Sequence, residues 1–124
     1  MSTYTELKLD NTLRGEDEIV ALLAQHLIDG RHVGVVCGDS GERYYLLREV
    51  AQRVREDTGL PVKLSDQFVR HRDAELVGMT SRTAGMMCRG HYFDGVYISD
   101  AREMSESDLR SLLVSVSVRR GGRR

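Results

Sequence analysis

Between residues 33 and 54 the chain reads VGVVCGDSGERYYLLREVAQRV, and this stretch limits the possible folds more than any other. Val33, Val35 and Val36 with Cys37 form a short, mostly β-branched apolar run of the kind found in buried strands. The segment Gly38 to Gly41 supplies a turn. Beyond it, Leu46, Leu47, Val50, Ala51 and Val54 recur at helical spacing and define one apolar face. A helix is therefore expected from near Ser40 or Gly41 to about Thr58, with Gly59 ending it and Pro61 preventing its resumption. A strand that passes through a Gly/Ser turn straight into a helix is the start of a βαβ unit, and such units build sheets covered by helices.

The remaining segments extend this pattern. Glu16, Asp17 and Glu18 precede Ile19, Val20, Leu22, Leu23, Leu27 and Ile28, which cover one side of an expected helix stopped at Gly30. Val62 to Leu64 reads as a short strand. Residues 65–80 are ambiguous: Phe68 and Val69 fit either a helix turn or a strand end, and Leu76, Val77 and Met79 fit a strand. Ser81 to Arg89 suggests a short helix ended by Gly90. Tyr92 to Asp100, YFDGVYISD, is a second clear strand that ends in an acid. Ser105 and Asp108 have capping-box spacing ahead of Leu109, Leu112, Leu113 and Val116. Val114, Val116 and Val118 also alternate with serines, so a strand after a short helix stays open. The expectation is an α/β fold: a three-layer, open, mostly parallel sheet flanked by helices.

Length and charge narrow the function classes. The chain has 124 residues, 40% of them hydrophobic and 30% charged, which suits one folded domain over residues 1–118. Residues 119–124 form a basic tail with Arg119, Arg120, Arg123 and Arg124. Setting those four aside leaves 14 basic against 19 acidic residues, a net of −5, which is not a basic nucleic-acid-binding face. No apolar run approaches a membrane span of roughly 20 residues, so no membrane partner is expected. The polar N-terminal stretch lacks signal-peptide blocks, and the expected compartment is the cytoplasm of a bacterial host cell. Cys37 and Cys88 read as buried free thiols, and neither they nor the scattered histidines (His26, His32, His71, His91) show zinc-motif spacing. GDSGE lacks the symmetric glycines of a serine-hydrolase elbow.

The segment Cys37-Gly38-Asp39-Ser40-Gly41-Glu42-Arg43-Tyr44 resembles the phosphate-binding loop of P-loop NTPases, particularly the RecA-like cores of helicases and phage terminases. Phe93 to Ala101 is similar to the strand that delivers a magnesium-binding aspartate in the same families, with Asp100 at the matching position. The likeness spans roughly residues 33–54 and 76–104. The resemblance implies a P-loop-NTPase-like sheet, with phosphate held by Gly38, Ser40, Gly41 and Arg43 and a metal ion by Asp100. The chain departs from the G-x-x-x-x-G-K-[ST] pattern. Gly38 and Gly41 are too close, Glu42 stands where lysine belongs, and Arg43 stands where the hydroxyl belongs. Ala101 replaces the catalytic glutamate. An ordinary βα turn with Ser40 as helix cap fits the same residues.

Loss of the lysine, the hydroxyl and the glutamate together implies a degenerate scaffold without hydrolysis. The expected role is a non-catalytic module that binds a protein partner or itself, suited to an accessory protein of a bacterium or its phage. No cofactor is expected. One alternative is a nucleotide-binding domain with weak or no hydrolysis, taking ATP or GTP with magnesium through Arg43 and Asp100. Another is a nucleic-acid-associated factor using the arginine tail.

Overall fold

The structure, a computed structural model, describes residues 3–7 and 13–122. Its elements in chain order are β1 (Tyr4–Glu6), β2 (Leu13–Arg14), α1 (Glu16–Ile28), β3 (His32–Cys37), α2 (Ser40–Thr58) and β4 (Lys63–Leu64). There follow β5 (Phe68–His71), β6 (Ala74–Thr80), α3 (Ala84–Met87), β7 (Gly95–Ile98) and α4 (Glu106–Gly122). The seven strands form one sheet in the order β2-β1-β7-β3-β6-β5-β4.

The α/β class and the helix-covered sheet match the sequence expectation, but the sheet is mixed rather than mostly parallel. Only β3 runs parallel to its two neighbours, β6 and β7; the other four pairings are antiparallel. The reason is local. A parallel connection needs a crossover of a dozen or more residues, whereas β5 turns into β6 through Arg72 and Asp73 alone, with Arg72 at a φ of 57°. β4 is likewise an antiparallel edge strand on β5.

Strand alternation sorts the core into two layers. Val33, Val35, Cys37 and Leu76 point toward α1 and α2, where they meet Ile19, Leu23, Leu27, Leu46, Leu47, Val50 and Val54. Val36, Val77, Met79 and Val96 point the other way and meet Ala84, Cys88, Phe93, Leu112 and Val116 beside α3 and α4. The chain is thus three layers deep. Helix α2 ends at Gly59 in the left-handed region (φ 69°), where glycine avoids the Cβ penalty. Ser105 and Asp108 exchange the expected capping-box bonds: the Ser105 N–H donates to Asp108 Oδ2 (3.0 Å) and the Asp108 N–H to Ser105 Oγ (3.1 Å). The valine alternation after Leu113 does not become a strand; α4 continues to Gly122. No helix among the described residues is long and apolar enough to cross a membrane.

One part-buried polar pair stitches α1 to the sheet. His26 Nε2 lies 2.8 Å from the Tyr97 hydroxyl. Burial, then Glu6, pushes Tyr97 up to about 12, so it stays protonated and can donate to the imidazole. Burial, then Arg31, lowers the His26 pKa below its ordinary value. The unfolded chain therefore takes up this proton first. The associated stability is fully present above the unfolded value, about pH 6.5, and is lost as pH falls toward the folded value. The unfolding midpoint should drop on acidification from neutral pH through that window. His26→Gln should flatten the dependence, and an unchanged pH slope in that variant would contradict the assignment.

Candidate functional site

Residue Val36 of β3 sits opposite Ile98 of the parallel neighbour β7. Both strands therefore end at the same rim, and the segments that leave them lie side by side. A Cβ built on Gly38 would come 3.1 Å from Asp100 Oδ2 and 3.2 Å from Glu42 Oε1. Gly38, Ser40, Gly41 and Asp100, separated by up to 62 residues in the sequence, are thus gathered where strand ends and a helix start meet. In open α/β sheets this is the place where ligands bind.

What fills the loop is Glu42. Its Oε1 accepts from the Gly38 N–H (2.8 Å), and its Oε2 accepts from the Tyr4 hydroxyl (2.8 Å) and the Ser99 hydroxyl (3.0 Å). The side chain comes from the first turn of α2, Tyr4 from β1, and Ser99 from the residue after β7. A backbone N–H that an anion-binding loop would present to phosphate is thus already bonded to a carboxylate of the chain itself. Asp39, not Ser40, caps α2: Asp39 Oδ1 accepts from the Glu42 N–H (2.8 Å). The helix begins at Ser40, so the capping position falls one residue earlier. Ser40 is exposed at the surface.

Arg43 takes a different direction. Its aliphatic stem packs on Gly78 of β6, where an added Cβ would meet Arg43 Cγ at 2.9 Å. Its Nε is buried without a hydrogen-bond partner among the described residues. Asp100 is engaged by Arg102, whose backbone N–H (2.9 Å), Nε (3.1 Å to each oxygen) and Nη2 (2.6 Å) all donate to the carboxylate. These bonds hold Asp100 down at about 2. A guanidinium therefore stands where the resemblance places a magnesium ion. Arg119 and Arg120 fall on the last turns of α4, while Arg123 and Arg124 lie outside the described residues.

Beside the loop lies a cleft of about 280 Å³ lined by Gly38, Asp39, Ser40, Thr80, Arg82 and Glu103. Its one arginine is paired, Arg82 Nε to Glu103 Oε1 at 3.1 Å. Asp39 and Glu103 put two carboxylates on the lining of this cleft. A phosphate arriving here would meet like charge as well as an occupied donor. The adjacent thiol offers no nucleophile: burial, then Glu42, pushes Cys37 up to about 12. Burial, then Cys37 and Glu42, likewise raises Tyr4 and keeps its hydroxyl protonated.

The sequence places Glu42 where lysine belongs and gives no sign that its carboxylate is a ligand of its own loop. Its partners Tyr4 and Ser99 are 38 and 57 residues away, and only the sheet order brings them together. Among the described residues the group spaced to hold a metal ion is His32, Glu75 and His91. It lies at the opposite end of the parallel strands, at the start of β3. Comparison with family models, with curated proteins and with solved structures returned no match in any of the three. Fold and rim define an open-sheet α/β domain whose strand-end loop is closed by its own carboxylate.

Proposed function

We propose that this chain is a non-catalytic α/β module, derived from a P-loop-NTPase-like scaffold, that acts by binding a protein partner or a second copy of itself. The observation that carries this reading is the Glu42 carboxylate bonded to the Gly38 N–H, Tyr4 and Ser99. Hydrolysis of a nucleotide needs donors free to take phosphate and a carboxylate free to take magnesium. Here the loop donor is used internally and Asp100 is held by Arg102. The exposed apolar side chains favour a protein-binding role. Met86 is 73% exposed, and Tyr44, Tyr45, Tyr92 and Val114 are about half exposed. Tyr92 and Val114 share a cavity of about 400 Å³ between the segment before β7 and α4.

The test is thermal unfolding with millimolar ATP or GTP and magnesium. A ligand at 100 times its dissociation constant stabilises by about 2.7 kcal/mol. No shift is expected, and a clear rise in the midpoint would overturn the reading. Light scattering on size-exclusion fractions then separates self-association from a monomer that awaits a partner.

A further inference from the structure

The end of the sheet away from the closed loop carries a second constellation. β3 and β6 are in register with His32 opposite Glu75. The segment entering β7 is fastened to the same point: the Asp94 N–H donates to the His32 carbonyl (2.7 Å), and the His32 N–H donates to Asp94 Oδ2 (2.9 Å). This fastening places His91 over His32. His32 Nε2 and His91 Nδ1 are 3.1 Å apart, and His32 Nδ1 is 3.5 Å from Glu75 Oε1. One donor atom from each of the three residues lies within 4.8 Å of the others.

From this geometry we propose that His32 and His91 bind a divalent transition-metal ion of borderline softness, zinc being the reference case, with Glu75 as a positioning residue. Imidazole nitrogens are the preferred ligands of such ions. Two nitrogens about 2.05 Å from one tetrahedral ion are roughly 3.3 Å apart, close to the separation found. A metal-binding imidazole usually donates its other N–H to a carboxylate, which fixes its tautomer and orientation. Glu75 Oε1 lies 3.5 Å from His32 Nδ1, the ring nitrogen other than the one that approaches His91, where a carboxylate can orient the imidazole. Glu75 is itself held, since its Oε2 accepts from Arg70 Nε at 2.8 Å.

The rings are also preorganised. Phe93 is fully buried and stacks on both imidazoles, with centroids 5.0 Å from His32 and 5.3 Å from His91. The two imidazoles stack on each other at 5.2 Å. Neither histidine is buried, and His91 lines the cavity of about 400 Å³ beside α4, which gives an ion its approach and room for completing waters. The site lies at the opposite strand ends from Glu42, so its success or failure is independent of the role assigned to the loop.

The experiment uses the full chain, treated with chelator and then titrated calorimetrically with zinc chloride. One equivalent should bind to the wild type. Affinity should fall about 100-fold or more in His91→Gln and about 10–100-fold in Glu75→Gln, and stay unchanged in His26→Gln. Cobalt(II) should bind without a thiolate charge-transfer band, which separates this site from Cys37 and Cys88. Long-range ¹H–¹⁵N spectra of the wild type supply a readout that needs no variant: zinc should shift the ring nitrogens of His32 and His91 and leave those of His26 and His71 in place. Absence of binding, equal binding by a folded His91→Gln, a thiolate band, or shifts confined to the other histidines would each overturn the site.

Discussion

Glu42→Ala is expected to destabilise the fold by about 3 kcal/mol, the largest effect of any single change at the rim. The substitution removes an acceptor that serves the Gly38 N–H and the Tyr4 and Ser99 hydroxyls. Leaving one buried donor unsatisfied costs about 1–3 kcal/mol. Tyr4 is fully buried and takes that cost, whereas Gly38 and Ser99 are part-exposed and recover some hydration. Glu42→Gln should fall between wild type and alanine, because it keeps one acceptor oxygen but turns an amide N–H₂ toward donors. Tyr4→Phe in the Glu42→Ala background should cost less than the sum of the two single changes, since the orphaned hydroxyl is gone. Urea unfolding of the wild type and the four variants, Tyr4→Phe alone included, measures these differences. A Glu42→Ala midpoint equal to wild type would mean that the carboxylate does not hold the loop closed.

Gly85→Ala is expected to cost about 2–3 kcal/mol. This glycine is the second residue of α3, where that helix meets the start of α4, and a Cβ there collides with the Asp108 carboxylate and approaches Asp108 Cβ to 2.9 Å. Asp108 cannot step aside freely, because its Oδ2 accepts from the Ser105 N–H at 3.0 Å as half of the α4 capping box. The methyl must therefore break a cap, worth about 1 kcal/mol, and strain a tight contact, worth about 1–3 kcal/mol. Asp108→Ala alone should cost the cap. The double variant should be more stable than additivity predicts, because the carboxylate that collides has been removed. Strict additivity in denaturant unfolding would show that the two residues do not meet.

The parts of this fold that could be read from the chain are those with repeating side-chain chemistry. The valines of β3 and the apolar face of α2 state their structure within a single window of sequence, and so do Gly30, Gly59 and Gly90 at positive φ after their helices. The β5–β6 hairpin was not legible. Its turn is Arg72-Asp73, with the left-handed position given to arginine in place of the usual Asn or Gly. Strands β1 and β2 escaped for a related reason, as strands of two or three residues show no period, and β4, expected over Val62 to Leu64, gave no sign of its antiparallel direction. At the rim, residue types were visible and their alliances were not. Asp39 rather than Ser40 holds the helix start, and Glu42 reads as a misplaced charge until Tyr4 and Ser99 arrive from distant strands. His32 and His91 lie 59 residues apart, beyond any spacing motif.

Among the described residues the sheet ends on both sides in strands of two residues, Leu13–Arg14 and Lys63–Leu64. A margin that short offers an incoming chain hardly more than one rung of backbone pairing, and the ribbon beyond it has nothing to template on. Growth by strand addition, whether into a continuous inter-subunit sheet or into fibrils, is thereby disfavoured. Whatever docks on this domain must recognise side chains on its helical faces or loops rather than extend its hydrogen-bond ladder.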